Sequence, residues 1–302
     1  MALTDSQFTS QAGVSLRACP LTVARGCARF AQRVLALWHL TSLDAVSVAV
    51  VWSLGFARVD GVRLPAWVLV LLSLVVWTVY VADRLLDAWA GQKKAEFLAL
   101  RERHCFHWRY RAVMVPMALF AACLAAWLIL RFMTAIARER DSMLAAAALA
   151  YFARVHRAGD SDPFVSRVFT KELLVGVLFA CGCAMPAWVR GPFLPLMGPL
   201  IYFAVLAWLN CVAIDRWESV AADRIGLPVA AMAGAIGAAG VLAAACMSEI
   251  EPLAATLLAA GAVSAFLLAW LDRERGRLDS VTLRAAADLV LLIPAVLSWV
   301  GR

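Results

Sequence analysis

Charge is the scarcest resource of this sequence. Asp, Glu, Lys and Arg together make up 16% of 302 residues, while hydrophobic residues make up 64% and the mean hydropathy is +0.80. Soluble globular domains carry about 25% charged and about 45–50% apolar residues, so the composition excludes a soluble enzyme and a disordered chain. Eight cysteines are present, but none forms a C-x-x-C pair and most lie in apolar runs. That excludes a secreted disulfide scaffold and leaves the thiols as small buried hydrophobes. The first 33 residues are polar and basic and lack an apolar core followed by a small-residue cleavage site, so no signal peptide is expected. No low-complexity segment or linker divides the rest. The net charge of +7 has no soluble basic module to carry it, so nucleic acid is not an expected partner. The lipid bilayer is.

What the sequence has in abundance is apolar length. A bilayer core about 30 Å thick is crossed by about 20 apolar residues. Eight stretches approach or meet that length: Val34–Ala57, Leu64–Ala82, Ala112–Leu130, Glu172–Val189, Pro192–Ile214, Ile225–Ser248, Pro252–Leu271 and Ala285–Val300. A ninth, Ser142–Ala153, is shorter. With it, and with the N-terminus inside, 21 of the 28 basic residues fall on the inner side; without it the tally is 13 inside against 15 outside. Positive charge gathers on cytoplasmic loops, so the pattern predicts an all-α integral membrane protein. It has nine transmembrane helices in one bundle (residues 34–302) behind a cytoplasmic basic segment (residues 1–33). Gly and Ala crowd residues 230–240, which predicts close helix packing there.

Acidic residues in or at the ends of membrane helices are expensive and mark candidate sites. Asp83 and Asp87 close the second predicted helix at i, i+4, and Asp215 and Glu218 close the sixth at i, i+3. Each pair shares a helix face, with Asn210 deeper in the sixth span, and the predicted topology brings both pairs to the inner surface. Mg²⁺ takes hard oxygen ligands and bridges a few carboxylates to substrate phosphates, so the four acids are candidate Mg²⁺ ligands. The alternative is that they are interfacial charges paired with neighbouring arginines.

Two acid clusters, four helices apart in a nine-helix bundle, resemble those of the UbiA superfamily of intramembrane prenyltransferases. That family's first motif reads N-D-x-x-D-x-x-x-D; here the stretch is Val79-Tyr80-Val-Ala-Asp83-Arg84-Leu-Leu-Asp87, with the last two aspartates kept and the initial Asn-Asp replaced. The second motif is also degenerate, with Asn210, Asp215, Glu218 and Asp223 as its available polar residues. The resemblance implies Mg²⁺-assisted ionisation of an isoprenyl diphosphate and prenyl transfer to an aromatic or lipidic acceptor, at the cytoplasmic side of a bacterial inner membrane. It also implies cations near the start of the fifth helix that contact diphosphate, where Arg167 and Lys171 stand. A terpene cyclase of the same superfamily is the second enzyme reading. A non-catalytic lipid-binding or transport protein is the reading from another class.

Further candidates lie around these clusters. The segment from Arg101 to Arg111 holds cations and aromatics, and either caps the site, with Arg101 and Arg109 reaching phosphate, or forms an interfacial belt. His104 and His107 within it lack the partners of a zinc site. Tyr80 is placed to touch substrate, and Trp77, Phe179, Phe203, Trp208 and Trp217 are aromatic candidates beside it. Asp44, ten residues into the first span, is the candidate acid or base; its alternative is a structural hydrogen bond to nearby hydroxyls or to His39. Asp288 is expected to pair with Arg284 one turn away.

Overall fold

A computed structural model of the chain describes residues 20–93, 102–157, 167–188, 194–218 and 228–295. Every regular element among them is helical. In chain order they are α1 (Pro20–Leu40), α2 (Leu43–Val59), α3 (Ala66–Lys93), α4 (Glu102–Arg109), α5 (Arg111–Phe132) and α6 (Ala135–Arg157). They continue with α7 (Arg167–Ala184), α8 (Leu194–Glu218), α9 (Val229–Met247), α10 (Pro252–Glu274) and α11 (Ser280–Val290).

Five of these, α3, α5, α8, α9 and α10, are long and apolar enough to cross a membrane. The first predicted span is interrupted: Phe30–Leu40 and Leu43–Val59 pass the same test only together, across an 81° bend. The apolar part of α7, Glu172–Ala184, is shorter than a full span. The ninth predicted span lies inside α6, which is continuous for 23 residues but carries Arg138, Glu139, Arg140 and Asp141 in its first half. Large apolar side chains face outward, Phe120 and Leu130 at 70% exposure and Leu242 at 67%. An outer surface of this kind is stable against lipid rather than water.

Helix α2 is the hub, packed against α3, α7, α8, α10 and α11. Its Trp52 and Phe56 are fully buried, and Trp52 stacks on Phe203 of α8 with ring centroids 3.9 Å apart. The indole Nε1 donates to the Leu291 carbonyl at 3.0 Å, which removes the cost of burying an unpaired donor. Around this hub α9 packs on α10 and α7 on α8. The small-residue stretch of α9 does what its composition predicts: a Cβ on Gly237 would fall 2.8 Å from Phe266, and one on Gly240 2.5 Å from the Tyr202 hydroxyl. Gly176 lets α7 approach the α8 backbone itself, since a Cβ there would meet the Ala204 carbonyl and Trp208 amide at 2.8 Å. No disulfide joins the six described cysteines, at 105, 123, 181, 183, 211 and 246.

Candidate functional site

The interruption between α1 and α2 builds the most polar part of the interior. Ser42 adopts φ +64°, ψ +22°, a left-handed conformation that costs a non-glycine residue about 1–2 kcal/mol. The helical ladder fails there, and the freed Thr41 carbonyl accepts a hydrogen bond from Trp77 Nε1 of α3 at 2.9 Å. Trp38 Nε1 reaches across the bend to Ser47 Oγ at 3.1 Å. In a continuous helix His39 and Asp44, five residues apart, would point well away from each other. The bend brings them together, with His39 Nδ1 2.6 Å from Asp44 Oδ2. The second carboxylate oxygen of Asp44 accepts from the Ala45 amide at 2.8 Å.

A third ionisable group completes the cluster from the other end of the chain. Asp288 Oδ2 of α11 lies 3.5 Å from His39 Nδ1, and its Oδ1 accepts from Asn210 Nδ2 of α8 at 2.8 Å. His39, Asp44 and Asn210 are 1%, 2% and 6% exposed, and Asp288 retains only 16% exposure of its side chain. His39, Asp44 and Asp288 each present a ligand atom, all within 4.8 Å of one another, and they form the only group of three or more potential metal ligands among the described residues. Two carboxylates in so apolar a setting need compensating positive charge. Arg84, 4% exposed, supplies part of it by acting electrostatically on Asp44. Its Nη1 donates to the Tyr80 carbonyl at 3.3 Å and its guanidinium sits 5.1 Å over the Tyr80 ring.

Arg84 therefore turns into the bundle, whereas Asp83 and Asp87, on the same turns of α3, stay half-buried. Helix α4 covers this end of α3 and sets His104 Nε2 3.7 Å from Asp87 Oδ2. His107, fully buried, has other partners: its Nδ1 donates to the Arg103 carbonyl at 2.8 Å, and the Ser42 hydroxyl meets its Nε2 at 3.4 Å. Burial, helped by the nearby Arg84 and Arg103 charges, lowers its pKa to about 4. The neutral ring thus links α4 to the bend between α1 and α2.

From Tyr80 an aromatic row runs inward. Tyr80 meets Phe179 of α7 edge-on at 6.3 Å, Phe179 meets Phe203 at 6.0 Å, and Phe203 stacks on Trp52. Trp77 and Trp217 have bolting roles instead; Trp217 Nε1 donates to Asp272 Oδ1 at 2.8 Å. Asp272 Oδ2 also accepts from the Ala230 amide at 2.9 Å, so one carboxylate ties the ends of α8, α9 and α10 together.

Of the sequence-derived candidates, Asp44, Asn210 and Tyr80 gather around Asp288 and His39; Tyr80 lies within electrostatic range of both Asp44 and Asp288. Asp83 and Asp87 stand on the covered end of α3, and Asp215 is half-buried near the end of α8. Arg109 is exposed at the end of α4. Arg101 lies outside the described residues, as do the side chains of Arg167, Lys171 and Glu218, whose backbones belong to α7 and α8. The sequence offers His39 as one of several hydrogen-bond partners for Asp44, and the structure makes that bond. For Asp288 it offers only Arg284, one turn away, and does not foresee Asn210 and His39. The available signal was that His39 and Asp288 are both isolated ionisable residues in apolar stretches. Compared with family profiles, curated proteins and solved structures, the chain finds no match.

Proposed function

We propose that the protein is a UbiA-like intramembrane enzyme that ionises an isoprenyl diphosphate and transfers the prenyl group to an aromatic or lipidic acceptor. The observation that supports this best is the covered acidic end of α3. Asp83 and Asp87 offer two half-exposed carboxylates beneath α4, while Arg84 between them is buried against Tyr80. A carboxylate pair with access to water on one side suits Mg²⁺, which takes oxygen ligands and keeps several waters. Asp83 and Asp87, with Asp215 and Glu218, are the residues that would hold it. Bound Mg²⁺ would neutralise the diphosphate and favour its departure.

The chain's own residues have separate roles in this reading. Arg167 and Lys171 steady the diphosphate, joined by Arg101 and Arg109 from the α4 region. α4 keeps water from the allylic cation, which water would otherwise quench. Tyr80, Phe179 and Phe203 present aromatic faces that a cation favours. Asp44, with Asn210 nearby, is the candidate to position the acceptor or take its proton.

The topology belonging to this reading has nine spans. Its N-terminus and its site lie on the cytoplasmic side of a bacterial inner membrane. Binding tests the first step: with Mg²⁺, purified protein in detergent should bind farnesyl or geranylgeranyl diphosphate, and the Asp83→Ala variant should bind it at least tenfold more weakly. Equal binding by the variant at every prenyl length would end the proposal.

A further inference from the structure

We infer that His39, Asp44 and Asp288 form a binding site for a divalent first-row transition metal, separate from the acids of α3 and α8. The three side chains come from α1, α2 and α11, so the tertiary fold, rather than a local motif, assembles them. Their nearest ligand atoms already have close to the required spacing. Ligands about 2.0–2.1 Å from a tetrahedral ion stand about 3.3 Å from one another. His39 Nδ1 and Asp288 Oδ2 are 3.5 Å apart. His39 Nδ1 and Asp44 Oδ2, at 2.6 Å, need to part by under 1 Å, roughly one small side-chain rotation.

One buried acceptor marks the cluster as chemically incomplete. The amide head of Asn210 is held in the cluster by its bond to Asp288 Oδ1, yet its own Oδ1 is buried with no hydrogen-bond partner. Buried acceptors are paired in nearly all native structures, and a cation satisfies acceptors where a further apolar neighbour cannot. The donor set then selects the ion. An imidazole among carboxylates suits Zn²⁺ and its neighbours, whereas Mg²⁺ favours oxygen throughout. Asn210 Nδ2, by fixing Asp288, takes the outer-shell position that orients a carboxylate ligand.

The site shares Asp44 and Asn210 with the prenyltransferase reading but needs no diphosphate chemistry, so its test contains no diphosphate and the two can fail separately. Full-length protein in mild detergent is stripped with a chelator, incubated with Zn²⁺, freed of excess ion on a desalting column and analysed for bound metal. Wild type should retain roughly one Zn²⁺ per chain, and His39→Gln and Asp288→Asn should each retain less than about a tenth of that. Asp83→Ala should retain as much as wild type. Because variants of buried groups can fail to fold, Co²⁺ is bound to stripped wild type in parallel, where a visible absorption band should report its nitrogen and oxygen ligands. Three results would each overturn the inference: no retained Zn²⁺ in wild type, full retention in a folded His39→Gln protein, or loss of the ion in Asp83→Ala alone.

Discussion

Acid should loosen the contact between α4 and the α1–α2 bend, and the effect can be sized from His107. Its ring is fully buried, its Nδ1 proton is committed to the Arg103 carbonyl, and its Nε2 lone pair faces the Ser42 hydroxyl. Protonation at Nε2 would remove that acceptor and add a positive charge near Arg84 and Arg103. Burial is the main reason its pKa falls from 6.5 to about 4, with those two charges adding to it. A histidine held neutral in this way binds fewer protons folded than unfolded between those two values. Folding stability therefore declines as pH falls from about 6.5 and stops declining near pH 4. At 1.36 kcal/mol per pH unit the loss is about 2 kcal/mol by pH 5 and about 3 kcal/mol by pH 4. The assay is reversible unfolding in mild detergent across pH 7.5 to 4, with wild type compared against His107→Gln so that other titrating groups cancel. Wild type should lose its advantage over the variant across that window. A flat difference, or an advantage that grows in acid, would refute the argument.

Other perturbations act on packing and backbone. Gly240→Ala should cost about 1–3 kcal/mol, the range of an overpacked core site, because its Cβ would lie 2.5 Å from the Tyr202 hydroxyl, which itself donates to the Ile236 carbonyl at 3.1 Å; an unchanged melting temperature would contradict that packing. Gly176→Ala should cost more than Gly240→Ala, since it meets α8 backbone rather than a movable ring. Ser42→Gly and Ser42→Val both give up the hydroxyl beside His107 Nε2, but only glycine relaxes the left-handed backbone, so the glycine variant should melt higher than the valine variant; the reverse order would disprove the strain at the bend. Trp52→Ala, which empties a fully buried site and leaves the Leu291 carbonyl without its donor, should cost about 3–5 kcal/mol, read as a fall in unfolding midpoint.

Helical structure and apolar packing were legible in the sequence because they depend on local signals. Runs of about 20 apolar residues fixed α3, α5, α8, α9 and α10, and the Gly/Ala density of residues 230–240 foretold the close packing of α9. The bend at Thr41-Ser42 was not legible, since neither proline nor glycine marks it. It is held by tertiary partners, Trp77 on the freed carbonyl and His107 beside Ser42. The buried cluster was only half legible for a related reason. Asp44 stood out as a carboxylate within an apolar span. Helical spacing offers Asp288 only Arg284, whereas its contacts with His39 and Asn210 come from helices distant in sequence. Arg84 shows the same limit: adjacent in sequence to Asp83, it is buried toward the bundle while Asp83 stays half-exposed.

If the covered acidic end of α3 ionises an isoprenyl diphosphate, as proposed, the protein must release inorganic diphosphate. Purified protein reconstituted in lipid nanodiscs is given geranyl, farnesyl and geranylgeranyl diphosphate with and without Mg²⁺, and the organic products are identified by mass spectrometry. At least one of them should release diphosphate in a Mg²⁺-dependent way, and Asp83→Ala and Asp87→Ala should each abolish the release. Release that persists in both variants, or none from any chain length with a panel of aromatic and lipidic acceptors, would contradict the proposal.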